Sequence, residues 1–141
     1  MDLTRRRACL SLVLLTRICA RASQLLLLKS KTYRFEDLPV NQEKGATYRD
    51  ILEGRTRTGD YLEAHETVLE PNAMPHPPHR HVGEELFVIS TGTLEVTISG
   101  KSTKLGPGSA FFVASNAEHS IHNVGSTPAQ YFGITVGQKA S

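Results

Sequence analysis

From about residue 46 onward, apolar and polar residues follow one another in short runs that are rich in β-branched and aromatic side chains. Such runs predict β-strands, in which neighbouring side chains point to opposite faces. Turn residues such as Gly59-Asp60 and Gly106-Pro107-Gly108 separate the runs. The pattern predicts eight strands, over residues 48–53, 61–69, 85–90, 93–99, 102–105, 109–113, 118–123 and 130–136.

Eight short strands without a credible helix between them predict an all-β fold, either an antiparallel sandwich or a barrel. The chain has 141 residues, which suits one domain with a modest core. Residues 23–45 mix charged residues with single apolar ones and keep no sustained period. We therefore expect a poorly structured lead-in over residues 23–45, followed by a β-domain over residues 46–141.

Residues 1–22 have the pattern of a targeting segment. Arg5, Arg6 and Arg7 precede the short apolar run 8–16, and Ala20-Arg21-Ala22 resembles a cleavage site. This pattern predicts an export signal and a periplasmic or extracellular protein; an organelle transit peptide and an uncleaved tail are the alternatives. Arg17 interrupts the apolar run well before the roughly 20 residues that a membrane-spanning helix needs. We therefore expect no stable membrane anchor.

The charge of the chain is concentrated in the same segment. Residues 1–22 hold five of the 16 basic residues and one of the 14 acidic ones, so residues 23–141 carry a net charge of −2. A mildly acidic domain gives no support to nucleic acid as a partner. Both cysteines, Cys9 and Cys19, also lie in this segment. A cleaved product would therefore have neither a disulfide nor a catalytic thiolate.

The stretch MPHPPHRHVGEE, residues 74–85, holds three of the six histidines. His79 and His81 are two residues apart, so their imidazoles leave the same face of an extended backbone. Glu85 shares that face if the strand continues through Gly83, whereas Glu84 does not. Two imidazoles and a carboxylate suit a divalent transition metal. His119, which opens the run HSIHN, is the best candidate for a fourth ligand from a neighbouring strand.

An isolated His-x-His pair is more often structural than metal-binding, but this pattern is longer. His79, His81, Glu85 and Gly92 match G-x5-H-x-H-x3-4-E-x6-G, and a later series matches G-x5-P-x-G-x2-H-x3-N at Gly108, His119 and Asn123. These two motifs resemble those of the cupin family over about residues 60–136. The chain departs from them where the leading glycine falls on Ala73 or Asn72, and where Ala114 and Asn116 replace a proline and a glycine.

The resemblance implies an antiparallel jelly-roll β-barrel of a single domain. It also implies one bound metal ion, with His79, His81, Glu85 and His119 as its ligands. Iron, manganese, nickel and zinc are all compatible with such a set. Three histidines and one glutamate leave two positions of an octahedral ion open for water, dioxygen or a bidentate substrate.

The other histidines, His65, His76 and His122, are predicted to be structural or exposed, with a position lining the barrel as the alternative for His65. The aromatic residues of the later strands are expected to line the barrel or fill its core; they are Phe87, Phe111, Phe112, Tyr131 and Phe132. No catalytic acid or base can be assigned from the linear sequence.

These observations favour a metal-dependent enzyme of the dioxygenase, decarboxylase or isomerase type. Its substrate would be a small acidic or hydroxylated molecule that chelates the metal. The alternative is a non-catalytic module that binds a small ligand and holds a structural metal. A homodimer is a further expectation, in which residues 31–58 could supply an exchanged strand.

Overall fold

The computed structural model of the protein describes residues 26–138, so the predicted export segment lies outside the described residues. One short 3-10 helix, Phe35–Asp37, precedes nine strands. The strands are β1 (Val40–Glu43), β2 (Ala46–Arg55), β3 (Tyr61–Leu69), β4 (Glu84–Thr91), β5 (Leu94–Ile98), β6 (Lys101–Leu105), β7 (Ala110–Val113), β8 (His119–Asn123) and β9 (Ala129–Gly137).

All eight predicted strands are confirmed, as β2 to β9, with small differences at their ends. The sequence pattern missed β1, which lies within the segment expected to be poorly structured. All four residues of β1 are exposed, so its composition carries no alternation of buried and exposed positions. It forms because its backbone pairs with β2, in the register Asn41 opposite Tyr48.

The strands form a jelly-roll of two antiparallel sheets, as predicted. The larger sheet has the order β1-β2-β3-β9-β4-β7, and the smaller one has the order β6-β5-β8. The strand β9, last in the chain, lies between β3 and β4. This crossover brings the middle of the chain beside its end, so residues far apart in sequence share one interior.

Inward and outward side chains alternate along each strand, as the pleat requires. On β9 the inward residues Ala129 and Tyr131 are buried, whereas Val136 faces outward and is exposed. Residues of both sheets form the apolar core; its fully buried members include Leu69, Ile89, Leu94, Val113 and Ala129. Phe112 and Phe132 were expected in the barrel, but their alternate positions place them on its outer face, where Phe112 is 52% exposed.

The lead-in packs against an ion pair that joins β2 and β3. Glu66 of β3 is fully buried, and its carboxylate accepts hydrogen bonds from Arg49 at 3.0 Å and from the Gln130 amide at 2.7 Å. The Phe35 ring lies 4.4 Å from the Arg49 guanidinium carbon. Because a buried carboxylate is stable only when it is paired, these contacts explain why a charged residue of β3 is tolerated there.

Three positions of the predicted motifs have structural roles at strand ends or turns. Gly92 has a φ of +83°, and a Cβ atom there would lie 2.5 Å from the backbone of Ala129, so only glycine fits. The buried Asn123 amide donates to the carbonyl groups of Leu69 and Thr127, both at 2.9 Å. Asn116 has a φ of +61°, so it adopts the left-handed turn that the motif's glycine would supply.

No helix within residues 26–138 is long and apolar enough to cross a membrane.

Candidate metal centre

The three histidines of the two motifs meet because the segment before β4 runs along the start of β8. The His79 amide donates to the His119 carbonyl at 3.1 Å, and the His119 amide donates to the His79 carbonyl at 2.9 Å. The Asn116 amide donates to the His81 carbonyl at 2.7 Å. The sequence left open whether the strand of Glu85 continues back through Gly83. It does not, because β4 begins at Glu84, and the pairing with β8 aligns the histidines.

The four side chains predicted as metal ligands lie together. His79, His81 and His119 each offer a ring nitrogen, and these three atoms lie within 4.8 Å of one another. The Glu85 Oε2 atom is 3.2 Å from His81 Nε2 and 3.1 Å from His119 Nε2. Glu84, which was judged the poorer candidate, lies one residue earlier and points to the other face of the strand.

Backbone carbonyl groups orient all three imidazoles. The Nδ1 atoms of His79, His81 and His119 lie 3.0 Å from the carbonyl oxygens of Pro77, Gly83 and Ala117, respectively. Carbonyl groups only accept, so each Nδ1 carries the proton. In the neutral tautomer, each Nε2 atom then has a free lone pair. This is the arrangement that fixed outer partners give to metal-binding histidines.

The Glu85 carboxylate lies among the three Nε2 lone pairs, so the cluster consists of acceptors without a hydrogen-bond donor. The Glu85 Oε2 atom is buried and has no hydrogen-bond partner within the described part of the chain. The contact with His119 becomes a hydrogen bond only if that imidazole carries a second proton. Buried lone pairs that converge in this way need a cation or a proton among them. The residues present therefore fit a divalent metal ion.

The pKa shifts reflect the same competition between burial and charge. Burial alone would raise the Glu85 pKa, but the contacts with His119 and His81 outweigh it and leave the pKa below its ordinary value. The adjacent Glu85 carboxylate raises the pKa of His119, because it accepts a hydrogen bond from the protonated ring. Burial lowers the pKa of His79. Without a metal, the stable arrangement is therefore a Glu85 carboxylate beside a readily protonated His119.

The cluster faces a cavity of about 330 Å³. Asn41 and Glu43 of β1 contribute to its wall, together with Tyr48 and Asp50 of β2. Glu63 and His65 of β3 also line it, as do the Phe87 and Tyr131 rings. The volume is at the lower end for small-molecule sites. A small ligand could therefore reach the cluster and the strand walls together.

Two histidines that we expected to be structural or exposed also line this cavity. His65 is half-buried, and its Nδ1 atom lies 3.5 Å from Glu63 Oε1. His76 is exposed at the rim, where its ring stacks against Tyr48 with 6.5 Å between centroids. The inward position of His65 in the predicted strand 61–69 was the sequence signal that could have placed it in the cavity. His122 lies on the opposite face of β8 from His119, as its parity predicts.

Comparison with known proteins agrees with the fold and the motifs. The cupin domain profile matches residues 65–136. No sequence among the curated proteins matches the chain. Among solved structures, KdgF from Halomonas sp. is 16% identical, with a TM-score of 0.69 over 79% of this chain and 96% of that one. An RmlC-like cupin from Shewanella frigidimarina is also 16% identical, with a TM-score of 0.66 over 79% and 94%.

The polyketide cyclase RemF from Streptomyces resistomycificus is 20% identical, with a TM-score of 0.62 over 78% of this chain and 81% of that one. At such identities these likenesses establish the fold alone. The cupin profile spans half of the 141 residues and contains both histidine motifs. The chain therefore belongs to the cupin family.

Proposed function

We propose that this protein is a metal-dependent enzyme that acts on a small molecule able to chelate the metal. The observation that carries the proposal is the convergence of three fixed Nε2 atoms and the unpartnered Glu85 Oε2 atom at one end of the cavity. His79, His81, His119 and Glu85 would hold the ion. A divalent metal with open positions can act as a Lewis acid and can orient a bidentate substrate. Dioxygenase, decarboxylase and isomerase chemistry all use such a centre.

The residues of the chain would supply the rest of the site. The Phe87 and Tyr131 rings would exclude water from one side of the bound molecule. His65 and Glu63 place an imidazole and a carboxylate in the same cavity. Such groups can give or accept protons when they lie within reach of a substrate. The sequence offered no assignable acid or base, and this favoured a non-catalytic binding module. His65 and Glu63 weaken that argument.

The alternative is a cupin module that binds a small ligand without turning it over. A cavity with a metal in its wall could serve binding alone, because one fold hosts many functions. A substitution of His65 distinguishes the two proposals. His65 is not a predicted metal ligand, but an enzyme would need a proton-transferring group of this kind. If the His65→Ala variant keeps the metal and loses turnover, the enzyme proposal gains support.

The first test is elemental analysis of the full-length protein, purified without chelator. We expect about one transition-metal ion per chain, and loss of that ion in the His79→Ala/His119→Ala variant. His122→Ala is the matched control, because His122 is on β8 but on the opposite face from His119. It should retain the metal. Equal metal content in all three proteins, or none in any, would contradict the four-ligand proposal.

Export and dimer formation remain predictions. Export depends on residues 1–22 and is tested by cell fractionation with N-terminal sequencing of the mature protein. The homodimer is tested by light scattering during size-exclusion chromatography, where a monomeric mass at micromolar concentration would rule it out.

A further inference from the structure

The walls of the cavity carry an unbalanced charge. Glu43, Asp50 and Glu63 line it together with Glu85, whereas no lysine or arginine does so among residues 26–138. The nearest basic side chain on β2 is directed elsewhere, because Arg49 pairs with the buried Glu66. The wall therefore has no fixed positive group that could receive an anionic end of a ligand.

The bound metal would not reverse this balance. A divalent ion held by Glu85 and three neutral imidazoles leaves one positive charge, against three carboxylates on the strand walls. A ligand that bears two carboxylates would meet the metal at one end and like charges at the other. Like charges brought close together repel, so the second carboxylate of such a ligand would be disfavoured.

The same wall suits hydroxyl groups. Glu43 and Asp50 are acceptors, and Asp50 receives one hydrogen bond from the Asn41 amide at 2.9 Å. Asn41 lines the same cavity, and its side-chain amide has a second N–H. A ligand hydroxyl can donate to these carboxylates and accept from the Asn41 amide.

We infer that the cavity selects a neutral molecule with several hydroxyl groups, and that the carboxylates of β1 and β2 reject dicarboxylates. The inference rests on the proposed function, because the metal fixes one end of the ligand. It narrows the expected substrate class from acidic or hydroxylated molecules to hydroxylated ones. The volume of about 330 Å³, equal to the share of about eleven water molecules in the liquid, limits the ligand to a small molecule.

The test uses full-length protein loaded with Co²⁺, whose visible absorption reports both metal binding and ligand binding. Dihydroxyacetone is the neutral probe. Succinate is the dianionic one, because its second carboxylate can extend away from the metal toward the strand walls. In the Glu43→Gln/Asp50→Asn variant, we expect succinate to bind on the order of tenfold more tightly, because two like charges are gone. The affinity for dihydroxyacetone should change by less than about threefold, because amide oxygens still accept hydrogen bonds.

Glu70→Gln/Glu95→Gln is the matched control. It removes the same charge at two positions that do not line the cavity, and it should leave both affinities unchanged. All substituted carboxylates except Glu95 are exposed, and circular dichroism checks that each variant is folded.

The outcomes separate the two proposals. If Co²⁺ does not bind, both the metal centre and the ligand class are wrong. If Co²⁺ binds but succinate affinity is the same in the wild type, the wall variant and the control, the metal centre stands and the ligand class is wrong. A wild-type protein that binds succinate and not dihydroxyacetone would also overturn the ligand class.

Discussion

The interior of the barrel has two halves that the same strands build in opposite ways. On β4, the inward residues are Glu85, Phe87 and Ile89. The first is a partly buried carboxylate, and the other two belong to the buried apolar core. On β3 the inward side changes from His65 to Leu69. Each strand therefore crosses a boundary between a site and a core within about two inward positions.

The two halves are stabilised by different interactions. The apolar half gains from burial, which contributes roughly 25 cal/mol per Å² of apolar surface. In the polar half, the imidazoles are held by single hydrogen bonds to backbone carbonyl groups, and Glu85 lacks a donor. We conclude that the apolar half stabilises the fold and that the polar half gains stability mainly when a cation binds.

The largest expected effect is the loss of stability when a side chain of the apolar half is shortened. Leu94 is fully buried on β5, so Leu94→Ala should lower the free energy of unfolding by about 2–5 kcal/mol through lost burial and a cavity. Urea denaturation of the metal-free protein measures it. Leu86→Ala is the control, because Leu86 faces outward on β4 and is 41% exposed. Equal losses in both variants would contradict the division between core and outer face.

The next effect is on the polar half and should leave stability nearly unchanged. Glu85→Gln removes the one anionic group of the cluster, so the metal affinity should fall on the order of a hundredfold or more. Loss of a hydrogen-bond partner behind a metal ligand already lowers the affinity by about 10–100-fold, and loss of a ligand itself should cost at least as much. The free energy of unfolding without metal should change by less than about 1 kcal/mol, because the amide can still contact the Nε2 atoms.

Competition with a chelator measures the affinity of this variant, and denaturation of the metal-free form measures its stability. The neighbouring Glu84→Gln variant is the control, since Glu84 points to the other face of β4. If both glutamines weaken metal binding alike, the geometry of the polar half is wrong.

The smallest effect is the pH dependence of metal binding. His119 has a raised pKa, so its proton competes with the metal up to a pH above the ordinary value of 6.5. Metal affinity should fall roughly tenfold per pH unit as the pH drops through this pKa, because binding must displace one proton. Chelator competition between pH 8 and pH 5.5 tests it, and a flat profile would show that no imidazole proton is displaced.

In the metal-free protein, the same pair should make stability depend on pH in two directions. The lowered Glu85 pKa contributes stability above the carboxylate's unfolded value, and this is lost as the pH falls through the folded pKa. The raised His119 pKa contributes stability below the unfolded value of the imidazole, and this is lost as the pH rises through the folded pKa. The pair therefore stabilises the metal-free fold between these two folded pKa values.

The sequence predicted most of the strands because their signal is local. On β9 the buried inward residues alternate with outward ones, and this period is visible in the chain without any knowledge of the neighbouring strands. Gly92 and Asn123 were identified through motif spacing, but their roles were not. The close backbone approach at Gly92 exists only after β4 and β9 have paired. The hydrogen bond from the Asn123 amide to Leu69 exists only after β8 of one sheet lies against β3 of the other.

The sequence also named the four residues of the cluster, because their types and spacing are what a metal site needs. Only the tertiary structure decided how they meet, through the pairing of His79 with His119 across 40 residues of chain. It likewise decided that β1, His65 and the acidic wall share one cavity with the cluster. Such properties follow from strand order and from which face of each strand turns inward. They are therefore absent from any local pattern of the chain.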